Sequence, residues 1–298
     1  MEKLDKIVER VKGLPNKKLI AANGVDSHTI EAIHEAMELG LIDATLVGDK
    51  DKIAETCKEL GISIDHFEII DIKDPQQAAN IAVKQISEGK GDLLMKGLVS
   101  TDQYMRAILN KEYGLVPPKG LLTHITVIET QNYHKLLTVS DVAIIPNPDL
   151  RQKIVITNLL IKTAQKIGVE KPKISVVSAA EMVTDAMPST LDAAILSKMA
   201  ERGQIKGAII EGPLSLDLSV DMESVQIKGM KSEVAGDADC LLFPNIEAGN
   251  VFYKTVTKFA KSEVAAFVAG AKVPCVLSSR GDSAKTKMYS IALAALVS

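Results

Sequence analysis

Short β-rich runs alternate with segments of helical spacing along almost the whole chain, and this alternation limits the fold more than any other feature. Strands are expected at 18–22, 44–48, 67–71, 92–96, 123–129 and 142–145, and again at 174–178, 207–211, 240–244, 264–269 and 274–278. Between them, helices are expected over 149–167, 190–202, 248–259 and, amphipathically, 284–297. Strands separated by helices are joined by crossovers, so the chain reads as α/β with a largely parallel sheet. No fixed-period repeat is visible, which excludes a solenoid. The Pro146-Asn147-Pro148-Asp149 cluster is the strongest turn signal of the middle region, and one domain junction is placed there. A second is placed near 270–274, giving a discontinuous first domain of 1–145 and 271–298 and a second of 146–270. Ligands of open α/β sheets bind beyond the carboxyl ends of the strands, so the active site is expected in a cleft between two such domains.

Composition narrows the partners. With 298 residues, 46% hydrophobic and 24% charged, the chain has the material of one large or two medium globular domains. A formal net charge of −3 supplies no global basic field, and 3% aromatics with no Trp supply no base-stacking platform. Nucleic acid and anionic membranes are therefore not expected partners, and any anion must be held locally. Cys57, Cys240 and Cys275 form neither a disulfide framework nor a zinc motif and suit a reducing compartment. The first 14 residues mix charges with Leu4, Ile7, Val8 and Val11 in the manner of a surface helix and not a signal peptide, and no stretch approaches the ~20 apolar residues of a membrane span. A cytoplasmic location is expected. His28, His34, His66, His124 and His134 are scattered without ligand spacing, so no metal is expected.

Several strand ends carry small and polar residues. The C-terminal one is Val276-Leu277-Ser278-Ser279-Arg280-Gly281-Asp282-Ser283-Ala284. Asp282 or Ser283 suits the N-cap of the following helix, whose start offers unpaired N–H groups, while Arg280 offers a planar fork and Ser279 and Ser283 offer hydroxyls. The same residues would also serve an ordinary capped helix. A second stretch runs from Lys96 through Gly97, Ser100 and Thr101 to Arg106. Gly97 would let backbone approach a ligand, Ser100 or Thr101 would cap a helix, and Arg106 is either a second anion ligand or simply exposed. A third is the elbow of Glu247, Gly249 and Asn250 after an acidic turn, which could place polar groups against a ligand or only begin a helix. Ile209-Ile210-Glu211 opening into Gly212-Pro213 is a further strand end.

The segments MKGLVSTDQYMRAIL, EGPLSLD, KGMKSEVAGDADCLLFPNIEAGNVFYK and GAKVPCVLSSRGDSAKTKMYSIALA together resemble the phosphate acetyl- and butyryltransferases, the butyryl branch most of all. The resemblance implies two three-layer α/β domains with a cleft between them, as in the isocitrate and isopropylmalate dehydrogenases, and a homodimer. It further implies transfer of a short-chain acyl group between coenzyme A and inorganic phosphate, both of them substrates, with no cofactor. Such a site must hold phosphate beside a thioester carbonyl and stabilise an oxyanion. Arg280, beside Ser279, matches the family's phosphate-binding arginine, and Arg106 matches its second arginine. The family's proposed base for the CoA thiol lies seven residues after the motif serine, where this chain has Thr286. Asp282 is then an alternative base, or a helix cap. A metal- and NAD-dependent decarboxylating dehydrogenase of the same fold would need a carboxylate set, for which Asp237 and Asp239 are the nearest candidates.

Overall fold

The computed structural model describes residues 3–278 and 281–298, so Ser279 and Arg280 of the expected site lie outside the described residues. In chain order the elements begin with α1 (Asp5–Lys12), β1 (Lys17–Ala22), α2 (Ser27–Glu38), β2 (Ile42–Gly48) and α3 (Lys50–Leu60). After a 3-10 turn (Ile64–His66) come β3 (Glu68–Asp71), α4 (Pro75–Ser87), β4 (Leu93–Lys96) and α5 (Thr101–Ile108). The middle of the chain forms β5 (Thr123–Glu129), β6 (Leu137–Ser140), α6 (Leu150–Lys166), β7 (Lys173–Val177), α7 (Pro188–Glu201) and β8 (Ile209–Leu214). The short helices α8 (Leu216–Val220) and α9 (Met222–Ile227) precede β9 (Cys240–Leu242) and α10 (Ile246–Lys258), and the chain ends with β10 (Glu263–Ala269), β11 (Cys275–Val276) and α11 (Ala284–Val297). The expected α/β class holds throughout. No helix among the described residues is long and apolar enough to cross a membrane.

The chain divides into two compact units, one of residues 4–122 with 264–298 and one of residues 123–263. In the first, the strand order is β3-β2-β1-β4-β11-β10, parallel except for β10 against β11. The chain steps outward from β1 to β2 to β3 and then returns to place β4 on the other side of β1. Right-handed crossovers in opposite directions put their helices on opposite faces. Accordingly α2 packs with α3 and α11, whereas α4 packs with α5. Strand order therefore reverses between β1 and β4, the topological switch point beyond which open α/β sheets take ligands.

The second unit has the order β5-β6-β9-β7-β8, with β5 antiparallel to β6 and the rest parallel. Pairing explains why the units part at 122/123 and 263/264, where the sequence suggested 145/146 and 270/271. Strand β6 joins β5 to β9, which carries 123–145 into the second unit, and the antiparallel match of Val268 with Cys275 carries 264–270 into the first. The Pro146-Asn147-Pro148-Asp149 turn only starts α6, with Asp149 accepting from Gln152 N at 2.8 Å.

Three local expectations need correction. The strand expected at 142–145 is not formed, because Asp141 Oδ1 captures the N–H groups of Ala143 and Ile144 at 2.7 and 2.9 Å, donors a strand would need for its ladder. Strand β8 does not end at Glu211 but runs on through Gly212 and Pro213 to Leu214, with a register shift against β7. As the last strand of its sheet it tolerates a proline's missing donor. Finally, α11 is not amphipathic: every residue from Lys287 to Leu296 is buried, because α1 and α2 pack on it and it lies on β11 and β4. A helix covered all round must be apolar all round, which makes the one buried lysine in it conspicuous.

Candidate functional site

Three strand-to-helix turns gather at the switch point of the first unit. Strands β1, β4 and β11 are neighbours and parallel, so the turns that follow them leave the same edge of the sheet. The turns after β1 and β4 are interlocked: Gly97 N donates to Ala22 O at 2.9 Å, Leu98 N donates to Asn23 O at 2.8 Å, and the Asn23 amide donates back to Leu98 O. Asn23 takes a left-handed conformation, φ 54°, to make this turn. A Cβ on Gly97 would stand 2.3 Å from Asn23 O. Gly97 is thus required by the neighbouring turn, a packing reason for the glycine that stands whether or not its backbone also approaches a ligand. Lys96, buried at the end of β4, ties its own turn by donating to Gly97 O and Val99 O at 3.2 and 3.0 Å. From α5, the buried Tyr104 hydroxyl reaches Leu94 O and Val276 O, fastening the helix to β4 and β11 together.

Of the hydroxyls expected in the β4 turn, Ser100 is the cap. Its Oγ accepts from Gln103 N at 3.1 Å and the Gln103 side chain returns to Ser100 N at 3.3 Å, a capping box. Thr101 is exposed at the first helical position. Arg106 is exposed as well, its guanidinium paired with Asp102 at 2.9 Å across one turn of α5.

The third turn carries the group that sequence reasoning missed. Lys287, buried in the second turn of α11, points back along the helix and donates from Nζ to Ser278 Oγ at 2.9 Å. Burial pushes its pKa down, and the carboxylates of Asp26 and Asp282 push it back up. Asp26 itself caps α2, accepting from Thr29 N at 3.1 Å. The cap of α11 is Ser283, whose Oγ accepts from Thr286 N at 3.1 Å, so the capping alternative for Asp282 falls away. Thr286 is thereby engaged with Ser283. Asp26, after β1, and Asp282, after β11, thus bring carboxylates to one buried ammonium. The signal for Lys287 was present: it is the last charge before the apolar run Met288–Val297, four residues after the cap.

In the second unit, the Glu247–Gly249–Asn250 elbow is built for packing. Asn245 caps α10 by accepting from Ala248 N at 2.9 Å, Asn250 donates to Val142 O at 2.9 Å, and a Cβ on Gly249 would meet Asp141 O at 2.2 Å. Glu247 is exposed on the first turn. The carboxylates a dehydrogenase reading would want are already partnered. Asp237 meets Lys173, His134 and Lys135 at 2.7 to 2.9 Å, and Asp239 meets Lys135 at 2.7 Å. Burial alone would raise the Asp237 pKa, but Lys173, Lys135 and His134 together hold it far below the usual carboxylate range. All three cysteines are free and buried, and burial raises each thiol, Cys275 to about 12, as expected of core residues and not nucleophiles.

Fold and turns together define an open, parallel-sheet α/β protein with its polar strand-to-helix turns collected at one switch point. The chain belongs to the phosphate acetyl/butaryl transferase family, whose model matches residues 3–84 and 75–295. It is 45% identical over 297 residues to the phosphate butyryltransferase of Clostridium acetobutylicum, covering 100% of this chain and 98% of that one. The phosphate acetyltransferase of Thermotoga maritima is 41% identical over 293 residues, 98% of this chain and 99% of that one. The crystal structure of a branched-chain phosphotransacylase from Enterococcus faecalis superposes with a TM-score of 0.81 at 28% identity, covering 94% of this chain and 99% of that one.

Proposed function

We propose that this chain is an acyltransferase that moves a short-chain acyl group, butyryl in the favoured reading, between coenzyme A and inorganic phosphate: butanoyl-CoA + phosphate = CoA + butanoyl phosphate. A phosphate acetyltransferase is the alternative, since relatives of both names align over the full length. The observation that carries the reading is the buried Lys287 ammonium on α11, the helix that follows the Ser279-Arg280-Gly281 motif in sequence. A dianionic co-substrate is best held where fixed positive charge is shielded from water, because the same charge is worth far more there than in solvent. In this proposal Arg280 grips phosphate with Ser279 beside it, Lys287 adds charge from below, and Ser283 and the α11 start supply donors. Asp282 takes the thiol proton in place of the carboxylate that Thr286 lacks. Gly97, Ser100 and Thr101 shape the second turn, and Arg106 offers another guanidinium when it exchanges Asp102 for a substrate oxygen. Glu247, Gly249 and Asn250 are substrate candidates as the polar elbow that opens α10, with Glu247 the one left exposed.

The finer fold assignment, the isocitrate and isopropylmalate dehydrogenase architecture, belongs to the same proposal and rests on the family resemblance. So do the absence of a cofactor from the reaction and a cytoplasmic location, which three free thiols suit. The test is release of free CoA thiol from an acyl-CoA series, acetyl to hexanoyl and branched, with and without phosphate. Release only with phosphate, maximal at four carbons, is expected, and phosphate-independent release would overturn the reading. In the same assay Arg280→Lys, which keeps charge but loses the fork, should raise the phosphate KM and lower kcat while acyl-CoA binding stays nearly intact.

A homodimer is also part of the proposal. It is supported by apolar side chains left open on α6, α7 and α10, where Val155, Leu191, Ile195 and Val251 are 42%, 38%, 42% and 66% exposed. On α6 the structure buries Ile156, Leu160 and Ile161 while leaving Ile154, Val155 and Leu159 partly or fully open. Light scattering at micromolar concentration should give twice the chain mass; a monomer would remove this part.

A further inference from the structure

We propose that His34, Glu38 and His66 form a three-ligand site for a divalent late first-row transition metal, Zn²⁺ foremost, at the end of the first unit away from the switch point. The sequence separates the two histidines by 32 residues, and no local spacing announces them. The fold brings His34 Nε2 within 3.0 Å of His66 Nδ1, with Glu38 one turn further along α2 and its Oε1 3.9 Å from the same His34 nitrogen. One ligand atom from each of the three lies within 4.8 Å of the others.

The geometry fits a shared metal as well as the direct imidazole–imidazole hydrogen bond that now spans it. At a Zn–N distance of about 2.0–2.1 Å, two ligating nitrogens stand about 2.9 Å apart at a right angle and about 3.3 Å apart at a tetrahedral one. The observed 3.0 Å falls in that interval. The rings are parallel to within 5°, and Phe67 meets His34 edge-on with centroids 6.3 Å apart, so the pair is held from one side. Backbone bonds fix the other: Phe67 N donates to Ile64 O at 3.1 Å, closing the 3-10 turn that carries His66. Glu38 is two-thirds exposed, 67%, so turning its carboxylate the remaining distance costs little. Two imidazoles and a carboxylate are borderline donors that select Zn²⁺ and its neighbours over Mg²⁺ or Ca²⁺, and the exposed side leaves room for water to complete the shell.

Position separates this site from the proposed chemistry. His66 lies just before β3, at the amino end of the parallel strands, whereas the switch-point turns follow their carboxyl ends. Zinc there would clip α2 to the segment leading into β3 without touching the acyl transfer.

The test is calorimetric titration of the intact, substrate-free protein with ZnCl₂ in a non-chelating buffer, with melting temperatures recorded alongside. One saturable equivalent is expected, together with a rise in melting temperature on zinc addition. His34→Gln and His66→Gln should each weaken binding tenfold or more and abolish the rise, and Glu38→Gln should weaken it less. His134→Gln, which alters the other histidine beside a carboxylate, should bind like the wild type. In case a variant folds poorly, histidine ring NMR of the wild type supplies an independent readout, in which zinc must perturb His34 and His66 first. Absence of saturable uptake, unchanged uptake in the His34→Gln/His66→Gln double variant, or first perturbation at other histidines would each overturn the site. Thiol release unaffected by EDTA is expected in every case, so failure of the zinc site and failure of the proposed function are told apart.

Discussion

Lys287→Met is expected to lose most phosphate-dependent thiol release while melting no lower than the wild type. The two outcomes diverge because the side chain serves two masters. As a buried ammonium it has lost its hydration and is compensated by one hydroxyl, Ser278 Oγ at 2.9 Å, and by the carboxylates of Asp26 and Asp282. Methionine fills nearly the same volume without a charge to desolvate, and replacing buried ionic groups by apolar ones is often neutral or stabilising. For catalysis, removing one preorganised donor from developing negative charge typically costs roughly 10²–10³ in rate. The loss should fall on kcat/KM for phosphate. A kinetically normal methionine variant would leave Lys287 with a structural role only.

The pH dependence follows from the direction of the Lys287 shift. Its folded pKa is depressed below the ordinary lysine value, so below the depressed value both folded and unfolded chains carry the proton and the full burial penalty stands. Between the depressed value and about 10.4, the unfolded chain holds a proton the folded chain has released, and the contribution to stability rises with pH. The melting advantage of Lys287→Met over the wild type is therefore largest near neutrality and narrows as the pH climbs toward the ordinary lysine range. Phosphate binding that needs the ammonium should decline over the same window.

Asp282→Asn should lower kcat in the CoA-consuming direction by roughly 10²-fold or more, the usual scale for a lost general base, with little change in melting temperature. Had Asp282 been the helix cap, the expected signature would be the reverse: about 1–2 kcal/mol of stability and little rate. The structure gives the cap to Ser283, whose Oγ accepts from Thr286 N, so the cap's share of stability should be lost in Ser283→Ala, whereas Asp282→Asn should cost only its support of the Lys287 charge. Because Asp282 supports the charge on Lys287, its neutralisation should also move the alkaline decline in phosphate binding to lower pH. Full activity in Asp282→Asn would leave the thiol without a carboxylate base in this turn.

Some of this architecture is written locally in the chain. Strand β5 and helix α11 have the bounds that apolar runs and capping residues suggest, and α6 begins after Asp149 as its turn chemistry requires. Those features depend on neighbours within a few residues, which is the range over which periodicity, caps and turn residues act. The four family segments are equally local, and the resemblance to the transferase family rests on them without any long-range contact. The polar turns after β4 and β11 were legible for the same reason.

What each side chain does in those turns was decided only by the tertiary structure. Gly97 looks like a ligand-facing glycine until Asn23, from a different strand end, is placed 2.3 Å from where its Cβ would stand. Val142 and its neighbours have strand composition, but the Asp141 carboxylate takes their donors. His34 and His66 meet because α2 and the turn before β3 are drawn together by the parallel pairing of β1, β2 and β3. Lys287 becomes a buried charge because α1, α2 and the sheet close around α11. By itself the sequence determined the α/β alternation, most of the strands and which family the chain resembles, since those depend on spacing along the chain, but it did not show β6 at Leu137–Ser140. Which groups lose water, which meet and which are already satisfied depends on residues far apart in sequence, and burial and pairing at that range exist only once the sheet is assembled.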